Sequence, residues 1–174
     1  MEIYIPTPSK QLSQKKLESY YTYSRIINEG RRNPIWFAEE FLGIKLMDYQ
    51  KWCFMESWTR PYVLWLMCRG AGKTMEAAVY LGTRMILIPD YHVYISTLTA
   101  AQSIEVFKKI EDIAKQRIPS LKTCTDILMM EVEANSQGKG DGFVHDPAGH
   151  TFRMYNNSKL VTLSSNVDAL RGKR

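Results

Sequence analysis

One stretch constrains the fold of this chain more than any other. The apolar run Tyr62-Val63-Leu64-Trp65-Leu66-Met67 leads into Cys68-Arg69-Gly70-Ala71-Gly72-Lys73-Thr74, and a long apolar segment follows. An uninterrupted apolar run of strand length suits a strand covered on both faces, as in a parallel sheet. The small residues after it let the chain turn sharply. The segment over residues 74–88 reads as a helix, whose N-terminal N–H groups would face back onto the turn. Strand, glycine loop and helix in that order point to an α/β fold with a parallel sheet and right-handed crossovers.

The loop also carries chemistry. A phosphate-binding loop needs small residues so that backbone N–H groups converge on oxygens, a lysine that reaches the β- and γ-phosphates, and a hydroxyl that holds Mg²⁺. Gly70, Ala71 and Gly72 supply the first, Lys73 the second and Thr74 the third. Met67 stands where the usual pattern has its first glycine. ATP and Mg²⁺ are therefore the expected cofactors. The competing reading is a glycine turn between strand and helix that binds nothing.

Around this centre, residues 1–11 read as an extended arm and 12–28 as a helix stopped by Gly30. Asn33-Pro34 reads as a cap and a first-turn proline, opening a helix over 35–41 that ends at Gly43. A helix is expected over 48–58, a second strand over 92–96 and a helix over 100–117. Residues 124–133 read as helical and 135–150 as a loop. Segments 151–155 and 159–164 read as a hairpin joined at Asn156-Asn157. Domain boundaries follow: arm and first helix over 1–32, the nucleotide-binding portion over 33–174.

Other classes are excluded on simple grounds. The apolar run at 62–67 ends at Arg69, too early to span a bilayer, and the N-terminus lacks the basic-then-apolar order of a signal peptide. Three cysteines (Cys53, Cys68, Cys124) with no CxxC pair argue against a disulfide framework or zinc site and fit a reducing compartment. His92, His145 and His150 form no ligand pattern. The formal charge of +5 is compatible with a polyanionic partner.

The loop Arg69-Gly70-Ala71-Gly72-Lys73-Thr74 resembles the variant Walker A motif of the large terminase subunits of tailed bacteriophages. Residues 33–44 look like the segment preceding the ATPase core of that family. Tyr49-Gln50 is similar to its adenine-recognition motif, in which Gln50 would read the base edge and Tyr49 stack on it. Residues 96–103, with Thr97, Thr99 and Gln102, resemble the polar turn after its second core strand. Residues 157–160 and 164–174 resemble the hairpin and Arg-Gly segment before its Walker B strand. The resemblance implies a P-loop NTPase core of the RecA-like, ASCE type, with a parallel sheet flanked by helices and cut before the Walker B strand. It implies a DNA-packaging motor that hydrolyses ATP to translocate DNA into a capsid. Lys73 would bind phosphate, Arg69 act as an arginine finger and Thr74 hold Mg²⁺. Double-stranded DNA, a small terminase subunit and a capsid portal are the implied partners, with a ring assembly in the bacterial host cytoplasm and no membrane.

The acidic pair that should follow the Arg-Gly segment is not in the chain, nor is the family's nuclease domain. Asp90 and Glu131 are the substitutes weighed for the missing acids; Asp90 reads as a turn residue and Glu131 as helical. Efficient hydrolysis by these 174 residues alone is therefore not expected. Two alternatives stay open. One is another P-loop enzyme, a helicase or a small-molecule kinase. The other is a non-catalytic module holding DNA phosphates with Lys139, Arg153, Lys159, Arg171, Lys173 and Arg174. For Thr97, Thr99 and Gln102, helix capping competes with a place near nucleotide or DNA.

Overall fold

The computed structural model describes residues 14–97, 99–117, 131–133, 142–146 and 149–163. Five helices and three strands follow one another as α1 (Gln14–Arg32), α2 (Pro34–Glu40), α3 (Asp48–Thr59), α4 (Lys73–Leu87), β1 (His92–Ser96), α5 (Ala100–Ala114), β2 (Thr151–Arg153) and β3 (Lys159–Leu163). The chain is thus α/β, but its described sheet is small and mixed. Its strand order is β1-β3-β2, with β1 parallel to β3 and β2 antiparallel to it.

Local chemistry accounts for most element ends. Asn33 caps α2 by accepting the Trp36 N–H at 3.1 Å, and Pro34 fills the first turn, where its missing N–H costs nothing. Gly43 leaves α2 at a φ of 69°, in the left-handed region that glycine enters without strain. Asn157 takes a φ of 67° in the β2–β3 turn, which Asn tolerates better than most residues. Met154 N–H donates to Ser158 O at 2.9 Å and closes that turn.

α4 and α5 share the core. Ala78, Val79, Met85 and Leu87 of α4, Phe107, Ile110 and Ile113 of α5, and Leu160 and Val161 of β3 are all buried. Phe37, Phe54, Phe143 and Phe152 complete it. The far end of α4 is pinned to the hairpin: Ser158 Oγ lies 3.1 Å from Met85 O and 3.2 Å from Ile88 O, and accepts the Tyr91 N–H at 3.1 Å. Asn156 Nδ2 donates to Met85 O at 2.6 Å. This anchorage fixes α4, and so the loop before it, against the sheet.

Four expectations need correction. The apolar run 62–67 has no regular secondary structure and joins no strand of the described sheet. Tyr62, Leu64 and Leu66 point outward, 91%, 78% and 86% exposed, while Trp65 folds inward to donate its indole N–H to Ser57 Oγ. Apolarity makes a run fit for a buried strand, yet only neighbouring backbone can make it one. Gly30 does not stop the first helix, which runs on to Arg32. Its role is contact: a β-carbon there would come within 2.7 Å of Leu87 Cδ2 and 2.8 Å of Phe37 Cδ2. The helix expected over 124–133 does not reach Val132, which bridges Met154 in an extended pairing; residues 124–130 lie outside the described set. Thr99 occupies the N-cap position of α5 without a side-chain capping bond, and Thr97 Oγ1 donates to Thr99 O instead. The N-terminal arm and residues 164–174 also fall outside the described residues.

Candidate functional site

The loop between Met67 and α4 depends on two glycines in the left-handed region. Gly70 has a φ of 88° and Gly72 one of 78°. A side chain at either would be strained. Around Gly70 there is also space: a β-carbon placed on it would meet nothing within 4 Å. Gly72 is the N-cap of α4, and its carbonyl accepts the Glu76 N–H at 2.9 Å. The first N–H groups of α4 therefore emerge from a loop that is open at Gly70 and bordered by Gln50 at Gly72, an arrangement suited to an anion.

Lys73 is the first residue of α4, and its Nζ turns back over the loop. It donates to Met67 O at 2.9 Å and to Cys68 O at 2.8 Å. These carbonyls hold the ammonium at the mouth of the loop, where an incoming phosphate oxygen would compete for it. Thr74 follows, half-buried in the first turn. Arg69 sits exposed on the turn itself, and no side-chain contact among the described residues holds it.

α3 closes the other side. Tyr49 OH donates to Ala71 O at 2.9 Å, so the ring is anchored to the loop while remaining 45% exposed. Gln50 Oε1 accepts the Met47 N–H at 3.0 Å and caps α3. Its Nε2 lies 3.0 Å from where a Gly72 β-carbon would stand. A side chain at residue 72 would therefore be excluded twice, by φ and by Gln50. Tyr49, Gln50, Gly70, Ala71, Gly72, Lys73 and Thr74 thus come together from two elements. Asp90 lies in a turn with a φ of 57° and accepts from Asn157 Nδ2, while Glu131 accepts from Tyr23 OH on α1. Neither is tied to the loop.

Sequence reasoning missed one residue of this neighbourhood. Glu76, in the first turn of α4, is fully buried, and neither carboxylate oxygen has a hydrogen-bond partner among the described residues. The α4 N-terminus favours a carboxylate, but burial opposes it more strongly and pushes the Glu76 pKa up to about 7. Burial, and then the Glu76 charge, also raise the Cys53 thiol of α3. The signal was available: Glu76, Val79, Thr83 and Ile86 form one buried stripe at spacings of three and four.

Among the described residues, no group of three His, Cys, Asp or Glu side chains could hold a metal ion. No helix among them is long and apolar enough to cross a membrane. Comparison with protein-family models and with curated proteins finds no match for this chain.

Proposed function

We propose that this chain binds a nucleoside triphosphate at the loop formed by residues 68–74, as the nucleotide-holding portion of a DNA-packaging ATPase of the large terminase kind. The observation that carries the reading is the pair of left-handed glycines beside the α4 N-terminus, with Lys73 Nζ lodged on the Met67 and Cys68 carbonyls. The residues fit a triphosphate. Backbone N–H groups of Ala71 to Thr74 would meet its oxygens, Lys73 would exchange its two carbonyls for phosphate, and Thr74 would offer its hydroxyl to Mg²⁺. The ion would supply charge neutralisation for phosphoryl transfer. Arg69, exposed on the turn, would meet charge developing on the terminal phosphate. Tyr49, with its hydroxyl tied to Ala71, offers a ring face for the base, and the Gln50 amide a donor.

The acids that hold the metal shell and activate water in such enzymes have no counterpart tied to the loop among the described residues. Binding is the step that the described loop residues support. Calorimetric titration with Mg²⁺ and a non-hydrolysable ATP analogue tests this, beside Lys73→Ala. Saturable binding that the variant lacks supports the reading. A folded protein that binds no nucleotide, or binds it equally well without Lys73, refutes it.

A further inference from the structure

The phosphate loop is entered through residues 62–67, which join no strand of the described sheet. Among the described residues, three side chains tie the path from there to α4. Lys73 Nζ bonds the Met67 and Cys68 carbonyls, at 2.9 and 2.8 Å. Tyr49 OH donates to Ala71 O at 2.9 Å. The third tie lies outside the loop: the indole N–H of Trp65 donates to Ser57 Oγ of α3 at 2.8 Å. Other members of the run, Tyr62, Leu64 and Leu66, are exposed.

The point of attachment is firm. Ser57 is buried and its Oγ donates to Cys53 O at 2.7 Å, so the hydroxyl proton is committed and a lone pair is left for the indole. The Ser57 carbonyl accepts Tyr80 OH at 2.7 Å and Arg84 Nη1 at 3.2 Å, both from α4. The Tyr80 ring also meets that of Trp65 edge to face, at 6.1 Å. Trp65 therefore stands on the junction of α3 and α4, the two helices that supply Tyr49, Gln50, Lys73 and Thr74 to the loop.

We propose that Trp65 is a positioning residue for the phosphate loop: its bond to Ser57 holds the loop entry in place when Lys73 leaves the Met67 and Cys68 carbonyls for phosphate. The role rests on nucleotide binding at residues 68–74. The ties at Lys73 and Tyr49 use side chains that the nucleotide itself would engage, so neither is a fixed reference while it binds. Trp65 is one, because its partners Ser57 and Tyr80 belong to the α3–α4 contact and not to the loop. Without that reference the loop holds its binding geometry for only a fraction of the time, and the apparent Kd rises by the inverse of that fraction. The rise is bounded by the worth of one neutral hydrogen bond, roughly twofold to tenfold.

The test is a double-mutant cycle on the full chain: Trp65→Phe, which keeps an aromatic ring beside Tyr80, Ser57→Ala, and the two together. Calorimetric titration with Mg²⁺ and a non-hydrolysable ATP analogue gives the affinities, and urea unfolding verifies that each variant is folded. Each single variant should bind roughly twofold to tenfold more weakly than the unmodified protein. The double variant should bind no more weakly than the worse single one, because both changes remove the same bond; independent structural losses would add. A second measurement needs no nucleotide. In the empty protein the amide resonances of Gly70 and Gly72 should shift or broaden in both single variants, while those of α5 stay in place. Unchanged affinity in the folded single variants, additive losses, or loop amides that ignore both changes overturns the inference. An unmodified protein that binds no nucleotide refutes the nucleotide reading itself, and the amide resonances then decide whether Trp65 positions the loop.

Discussion

Replacing Glu76 by Gln isolates the cost of burying an ionisable group in the first turn of α4. The carboxyl is fully buried, its oxygens have no hydrogen-bond partner among the described residues, and burial pushes its pKa from an ordinary 4.5 up to about 7. A folded-state pKa above the unfolded one means the native state holds the proton more tightly. Below the unfolded pKa both states are protonated and Glu76 is neutral at no penalty. As pH rises from about 4.5 to about 7 the unfolded chain ionises first, and stability falls. Above pH 7 the loss is complete. At about 1.4 kcal/mol per unit, the shift corresponds to roughly 3 kcal/mol. Glu76→Gln removes the titration and keeps the shape. Urea unfolding of both proteins from pH 4 to pH 8 should give curves that converge at the acid end and separate by roughly 3 kcal/mol at the alkaline end, the wild type being weaker. The difference cancels titrations common to both proteins. Parallel curves would mean that Glu76 is solvated or paired in solution, and the burial argument would fail.

Two further outcomes test the scaffold. Ser158→Ala leaves the Tyr91 N–H and the Ile88 carbonyl without the hydroxyl that joins them, while Met85 O keeps Asn156. A loss of about 2 kcal/mol in thermal or urea unfolding is expected, and a change under about 0.5 kcal/mol would show that the clamp on α4 contributes little. Leu64→Lys and Leu66→Lys alter side chains that are 78% and 86% exposed. Both should leave stability within about 0.5 kcal/mol and lower self-association in sedimentation experiments, since an exposed apolar strand-like run invites pairing; a strongly destabilised variant would place the run inside a sheet after all.

The sequence alone determined whatever depends on neighbours along the chain. The Asn33-Pro34 cap, the hairpin turn at Asn156-Asn157, the bounds of β1, and the spacing of Gly70, Gly72, Lys73 and Thr74 are local facts, set by φ preferences, capping bonds and side-chain reach. What sequence could not settle depends on contacts made at a distance. Gly30 looked like a helix end, yet Leu87 and Phe37 press against it inside the helix. The run 62–67 had the composition of a core strand, but a strand requires a second backbone alongside, and the described sheet supplies none. Glu76 carried no signal of its own along the chain; burial in the first turn of α4 sealed it from water and raised its pKa. His145 and His150 formed no pattern along the chain because their meeting at 5.0 Å needs residues 142–146, α5 and β3 in one place. Local chemistry chose the elements, and tertiary packing decided which polar groups would lie far from water.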